Sequence, residues 1–478
     1  MPACFLYSIS FNYFFQIKMF NIKRYLCVFL LLIIAIGANA QQSITLKELL
    51  NKVDQKAPIL LTDSAAILIR QAQAAEVRSN WLPNLKLNYQ ADIGSSNNTV
   101  GPYFGFGIIP SSSGGIHATN TTTAAADNLG IAAFDWEVYN FGAYGAQNKV
   151  ANADVQVERN QFAQSKYGLQ AYTISNYLQL LRLQDFLAIQ LRNIQRNQEI
   201  MRSITSLARS GVRAGVDTSI AEAELSKARL TYIELNNQLK QVQLQLSAIS
   251  GLPYQSIMPD TTAEMKLISQ SAALQLFSAD TVNHPLINYY RSVYQGSLQR
   301  EDMVKKSYNP KILLEAAAWG RGSSIDAANN YNSLSTGFNF DRSNYLVGVG
   351  ISYNLFDLRR KQLKLHTQQT ATDYALKKLE EQKILLANSA SQADVELTTA
   401  QQRLLEIPNQ LRAATAGYRQ KLSLYRSGLT DIIELNAALN ILYRAETDYV
   451  QAKYAFSNAL FQKAVSENQV SLVLNLLN

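Results

Sequence analysis

The chain has 478 residues, 17% of them charged and 47% hydrophobic, and a net charge of +8. Three basic residues and both cysteines fall in the first forty positions, so the remainder carries +5 and has no thiol to form a disulfide, act as a nucleophile or ligate a metal. Charges of both signs are interspersed along helical stretches, which describes solvated faces and excludes a nucleic-acid-binding stripe.

Residues 1–40 contain no acid. They have a basic flank of Lys18, Lys23 and Arg24, an apolar stretch from Tyr25 to Ile36 and the small-residue ending Ala38-Asn39-Ala40. This is the pattern of a cleaved secretory signal, with Gln41 as the expected new N-terminus. Met19 opens a conventional signal by itself, so the residues before it read as an over-extended start. The apolar stretch is too short to cross a bilayer core of about 30 Å. No cysteine stands at Gln41 to take a lipid. Beyond the signal no uncharged apolar run is long enough for a transmembrane helix, which leaves β-strands as the way to meet a membrane.

The remainder is written twice. Residues 136–232 recur at 353–449, an offset of 217. Trp136 answers Tyr353, Val138 answers Leu355, Arg209-Ser210-Gly211 answers Arg426-Ser427-Gly428, and Leu225, Ala228 and Tyr232 answer Leu442, Ala445 and Tyr449. Upstream the offset is 227, since Ala57-Pro58-Ile59 answers His284-Pro285-Leu286 and Pro83 answers Pro310. The expected organisation is a first repeat over 41–250 with a hairpin at about 84–138, a linker over 251–283, and a second repeat over 284–478 with a hairpin at about 311–355.

Four strands are predicted. Leu85, Leu87, Tyr89, Ala91 and Ile93 alternate with Lys86, Asn88, Gln90 and Asp92; in residues 130–138 Phe134, Trp136 and Val138 share a face opposite Asp135 and Glu137. Ile312, Leu314, Ala316 and Ala318 alternate less cleanly. Residues 345–355 alternate strictly, with Tyr345, Val347, Val349, Ile351, Tyr353 and Leu355 on one side and Gly348, Gly350, Ser352 and Asn354 on the other. Phe134, Trp136, Val347, Val349, Ile351 and Tyr353 are the predicted lipid-facing residues, their aromatics at the ends of the apolar run. The Gly/Ser/Asn/Thr-rich stretches between paired strands read as exposed loops.

Long helices follow each hairpin, from about Phe141 to Ala208 and from about Leu358 to Tyr425, each roughly 100 Å at 1.5 Å per residue. In the first, Tyr167, Ala171, Ile174, Leu178 and Leu181 form one heptad seam and Tyr177, Leu180, Leu187, Leu191 and Ile194 contribute to a second, as a helix with a neighbour on each side requires. Pro408 predicts a kink near Leu404 to Glu406 in the second. Each long helix ends at Arg-Ser-Gly, and return helices are predicted over Asp217–Ser250 and Thr430–Ser466. A lone four-stranded sheet in a bilayer leaves two unpaired edges; twelve strands from three chains begin to enclose an aqueous lumen, whereas eight from two do not.

In its order of segments the chain resembles the TolC family of outer membrane efflux proteins. The stretches that carry the likeness are TLKELLNKVDQKAPIL, WLPNLKL, WEVYNFG, YNLFDLRR, SGVRAG with AEAELSKARL, and SGLTDIIELNAAL with AETDYVQAKY. The resemblance implies a mainly α fold with a membrane β-barrel portion: a homotrimer whose long antiparallel helices form an α-barrel through the periplasm and whose four strands per chain build a 12-stranded barrel in the outer membrane lipid. It implies a periplasmic adaptor (membrane fusion) protein and an inner-membrane transporter of the RND type as partners of an efflux duct, or a secretion ATPase if the duct serves type I secretion. A soluble periplasmic coiled-coil protein is the reading from another class. The long first inter-strand stretch departs from the family pattern.

By the repeat, the Arg-Ser-Gly turns sit at the far end of the helices, and Arg209, Gly211, Arg213, Asp217, Arg426, Gly428, Asp431 and Glu434 are the candidate gate and adaptor-contact residues. Three copies of a carboxylate there would hold cations, with Asp431 expected at the constriction; alternatively these acids simply begin return helices, where negative charge suits the positive helix end. His117, His284 and His366 have no metal-ligand spacing, and no phosphate-binding glycine loop follows a strand. The residues therefore suggest no enzyme, no cofactor, no resident metal and no nucleic acid.

Overall fold

A computed structural model describes residues 43–97, 119–211, 215–262, 266, 268 and 282–476. The signal, most of the first inter-strand stretch with His117, and Arg213 lie outside the described residues. Helices α1 (Leu46–Lys56) and α2 (Pro58–Ser79) precede strands β1 (Asn84–Gly94) and β2 (Ala125–Tyr139); then come α3 (Ala143–Arg209) and α4 (Gly215–Ser250). The second half runs α5 (Pro285–Ser307), β3 (Lys311–Ser323), β4 (Arg342–Ser352), α6 (Asp357–Arg426), α7 (Ile432–Ser466) and the short α8 (Val470–Leu476). The duplication is visible in these bounds. Both long helices stop at an arginine of the repeated Arg-Ser-Gly, and α2 and α5 both open on proline, which suits the first helical turn because its missing N–H is not needed there.

Two compact units cut across the two sequence copies. One comprises the described residues up to Leu61 with Ser165–His284 and Leu385–Asn478; the other comprises Thr62–Gln164 and Pro285–Ile384 and contains all four strands.

In the first unit, α1 begins with a capping box: the Thr45 hydroxyl accepts from the Glu48 N–H at 3.3 Å while Glu48 reaches back to the Thr45 N–H at 3.1 Å. Its Leu46, Leu49 and Leu50 pack with Ile174, Tyr177, Leu180 and Leu183 of α3, Leu246 of α4 and Phe461 of α7. Tyr177 has no exposed ring surface to speak of, at 1%. Its hydroxyl donates to the Ile44 carbonyl at 3.0 Å and accepts from the Asp260 N–H at 2.9 Å, and burial pushes its pKa up to about 12. The start of the inter-repeat segment is thereby pinned to α3, with Ile257 fully buried and Ile44 bridged to Pro259.

The predicted seam of α3 is buried at Ile174, Leu178 and Leu181, whereas Leu191 is exposed. In α6 the buried positions Leu379, Leu386, Ala393, Ala400, Ile407 and Ala414 recur every seventh residue. A strict repeat of seven keeps one stripe on a partner helix, as in a left-handed coiled coil. Pro408 lies inside α6, which is unbroken, so the helix surrenders one backbone donor without ending.

His284 is buried in the first unit. Its Nε2 lies 3.0 Å from the Val465 carbonyl, which also accepts from the Tyr167 hydroxyl at 2.8 Å, and the Tyr167 ring meets the imidazole edge-on at 5.1 Å. Burial lowers the His284 pKa, partly offset by the carbonyl. Its folded pKa therefore lies below the unfolded value, so the unfolded chain takes up more protons and stability falls as pH drops through about 6.5. Apparent melting temperature is expected to decline from pH 7 to pH 5.5, and His284→Gln to flatten that slope; an unchanged slope in the variant would assign the pH response elsewhere.

Candidate functional site

The four strands form one antiparallel sheet in the order β1-β2-β3-β4. Register decides what each face carries. Leu85, Phe134, Ala316 and Val347 lie in one row across the sheet, and Leu87, Ala132, Ala318 and Tyr345 in the next but one. The row between them holds Lys86, Ala133, Ala317 and Leu346, and on its far side Asn84, Asp135, Glu315 and Gly348 share a row. One face is thus a continuous apolar surface and the other carries the charges, the alternation of a membrane barrel wall. The apolar face is open: Leu87 is 78% exposed, Val349 73% and Ile351 77%.

Strand boundaries differ from those read in the sequence. β4 ends at Ser352, so Tyr353 stands one residue past the strand instead of within it. In β2 the register shifts between Glu137 and Tyr139, so Val138 is the extra residue of a bulge and Tyr139 resumes the pairing with Ile312. The strict alternation that put Val138 beside Trp136 fails there because the strand is turning into α3. Phe141 at φ 50° and Gly142 at φ 87° complete the turn. Aromatic rings gather at this helix-proximal end. Trp136 stacks edge-to-face on Trp81 with centroids 5.1 Å apart and donates its indole N–H to the Trp81 carbonyl at 2.8 Å, and Tyr139 meets Phe141 at 4.8 Å. Rings with one apolar side and one polar handle belong at a membrane–water boundary.

At the other end of the helices the two Arg-Ser-Gly turns close with glycine in the left-handed region, Gly211 at φ 74° and Gly428 at φ 77°. After α6 the Gly428 N–H donates to the Tyr425 carbonyl and the Leu429 N–H to the Leu424 carbonyl, the paired bonds of a Schellman cap. Arg209 and Arg426 are exposed on these turns, and Asp217 lies in the first turn of α4. Asp431 is the N-cap of α7, its carboxylate accepting from the Glu434 N–H at 2.9 Å. Glu434 accepts from Lys421 and, at 2.8 Å, from Thr430; the Lys421 ammonium, then the Thr430 hydroxyl, hold its carboxyl below the usual range. The structure thus brings Asp431 and Glu434 together and gives each a local structural partner.

Sequence reasoning missed the groups that dock α3 against α6 and α7. Ile200 and Ile204 of α3 share an apolar cluster with Tyr418 and Tyr425 of α6 and Ile432, Leu435 and Leu439 of α7. Above it Arg196 forks onto Glu446 with bonds of 2.8 and 2.7 Å, the two side chains 21% and 12% exposed, and that hydrogen bonding raises the arginine pKa. Nearer the helix middles Lys453 bonds Asp185 at 2.5 Å and the Arg182 guanidinium covers the Tyr454 ring at 4.4 Å. The only signal was opposite charge at positions flanking the apolar seams. Among the described residues no group of three His, Asp or Glu could hold a metal ion, and no helix is long and apolar enough to cross a membrane.

A sheet with one apolar face and one charged face has the alternation of a transmembrane β-barrel wall. The chain belongs to the outer membrane efflux protein family, whose model matches residues 49–252 and 301–462. It is similar in fold to the outer-membrane channel OprN (19% identity, TM-score 0.68, covering 89% of this chain and 90% of that one). It is also similar to the outer membrane protein VceC of Vibrio cholerae (15%, 0.69, 88% and 95%) and to the CmeC outer membrane channel of Campylobacter jejuni (12%, 0.70, 89% and 86%). A comparison with curated proteins finds no match by sequence. The chain is an outer membrane efflux protein.

Two substitutions test the faces and the docking. Val347→Arg is expected to cost about 2–4 kcal/mol of stability in lipid, and Gly348→Arg on the opposite face much less; equal costs in bilayer unfolding would mean the apolar face does not meet lipid. Arg196→Gln leaves the Glu446 carboxylate short of its fork and should loosen the docking by about 2 kcal/mol, read as faster hydrogen exchange over residues 432–445.

Proposed function

We propose that three copies of this chain close a 12-stranded barrel and form the passive exit duct of a tripartite efflux pump, fed by a periplasmic adaptor and an RND-type inner-membrane transporter. The observation that carries the reading is the sheet itself: a continuous apolar face whose β1 and β4 edges are paired by no other strand among the described residues. In hydrocarbon an open strand edge costs several kcal/mol for each bare N–H or C=O, so the edges must pair with strands of other copies. Exposed Tyr374, Ile384, Val395 and Leu405 along α6 support the same arrangement, since a second apolar stripe asks for a second neighbouring helix.

A lumen lined by the charged face of the sheet and by polar helix faces has no need to recognise cargo, and the energy for transport comes from the transporter. In this reading the helix ends at the Arg-Ser-Gly turns face the adaptor, and Arg209, Gly211, Arg213, Asp217, Arg426, Gly428, Asp431 and Glu434 form the gate region. With Glu434 paired to Lys421, Asp431 and Asp217 are the gate carboxylates that would set ion preference. The Arg196–Glu446 fork holds α7 to α3, so widening of the tip must either break it or carry both helices together.

Mass measurement in detergent with planar-bilayer conductance tests the duct. A trimer giving small, cation-biased steps is the expected result, and a detergent-independent monomer without conductance would overturn it in favour of a soluble coiled-coil protein. Asp431→Asn separates the two roles of that residue, because asparagine caps a helix as well as aspartate does. Stability should be kept and cation preference reduced; unchanged selectivity would leave Asp431 only its capping role.

A further inference from the structure

The segment between β3 and β4 is not the free polar loop its composition suggests. It folds back over the end of the sheet distal to the helices, and it does so on the apolar face. The Asn128 amide donates to the Phe338 carbonyl at 2.8 Å, the Ser324 hydroxyl accepts from the Ala126 N–H at 2.9 Å, and the Ser324 N–H donates to the Ala126 carbonyl at 2.8 Å; Asn128 and Ser324 are buried. The approach is close enough to require glycine. A Cβ on Gly322 would lie 1.7 Å from the Asn339 carbonyl oxygen, and one on Gly337 would lie 2.0 Å from that of Ala126.

One row nearer the helices, Phe340 rests on the register partners Gly130 and Gly320, its ring atoms 3.0 and 2.8 Å from where their Cβ atoms would be, and it meets Tyr89 edge-on at 6.4 Å. The packing leaves Leu334 40%, Phe338 43% and Phe340 59% exposed on the outside of the wall. From Ile351 to Ser343 the apolar face runs roughly 20 Å along a barrel axis, at about 3.3 Å per residue and a strand tilt of about 40°. That is close to the ~25 Å apolar band of such barrels, and Phe340 sits at its far border. The segment is anchored chiefly on β2 and β3, the inner strands of the sheet, with Phe340 reaching Tyr89 of β1. It lies on the face that the duct reading turns toward lipid.

We propose that residues 324–341 form a lipid-seated foot: Leu334, Phe338 and Phe340 rest at the boundary between acyl chains and headgroups of the outer leaflet and set the depth at which the barrel sits. The proposal rests on the duct reading above, and its test separates the two. Both cysteines lie in the first forty residues, so a chain beginning at Gln41 accepts single nitroxide labels. Labels are placed at Phe340→Cys, Tyr345→Cys and Ala328→Cys, the protein is reconstituted in bilayers, and collision with oxygen is compared with collision with a water-soluble nickel chelate.

The expected order is oxygen-dominated at 345, intermediate at 340 and nickel-dominated at 328. If 345 is oxygen-dominated and 340 matches 328, the segment stands in water and this proposal alone falls. If 345 is also nickel-dominated, the barrel reading falls with it. Gly322→Ala in the Phe340→Cys background is expected to shift the label toward the nickel chelate, and an unchanged label would overturn the glycine contact as what seats the foot.

Discussion

The rest of the structure depends on one constraint: a backbone N–H or C=O that faces hydrocarbon must find a partner. Among the described residues, four strands satisfy it for β2 and β3 and leave β1 and β4 each with one open edge. The face that would meet lipid is already apolar across the register, from Leu85 through Phe134 and Ala316 to Val347. In the proposed duct such a sheet is one third of a closed barrel, and the heptad helices have the same character. Their inner seam is buried within the chain while a second stripe, Tyr374 to Leu405, is not.

Charge is used in two ways along the helices. Where α3 meets α7, Arg196–Glu446 and Lys453–Asp185 are largely shielded, and each partner is hydrogen-bonded, which makes a charge pair favourable and geometrically selective. At the tips the pairs are exposed, and Lys421–Glu434 does little more than order a turn. The tips are held together chiefly by Tyr418, Tyr425, Ile432 and their neighbours, with the charges choosing which surfaces meet.

Much of this was legible before any coordinates. Period-two alternation found all four strands, and the prolines and glycines of the repeat placed the helix ends to within two residues, because helix stops have local chemical causes. What was not legible is non-local. The bulge at Val138 exists because β2 must turn into α3, and nothing in the composition of Val138 says so. β2 begins at Ala125, five residues earlier than its alternation suggests, because Ala126 and Asn128 are held by Ser324 and Phe338 from the other half of the chain. The second inter-strand stretch looked like solvent loop from its Gly, Ser and Asn content, yet Gly322 and Gly337 are there to let backbones touch. Asp431 was read as a possible ion ligand, and its cap is a contact three residues away that either role permits.

The interleaving of the two copies has a consequence for biogenesis. Asn128 is bonded to Phe338, 210 residues further on, so the first hairpin cannot be completed by anything in its own half. During synthesis and export it must wait, with an aliphatic face and a sticky edge, for most of the remaining polypeptide to arrive, and such delayed pairing is slow and exposes the nascent chain to aggregation. The other face, with Lys86, Asp92, Asp127 and Asp135, carries the charge that works against edge-to-edge association of a waiting hairpin.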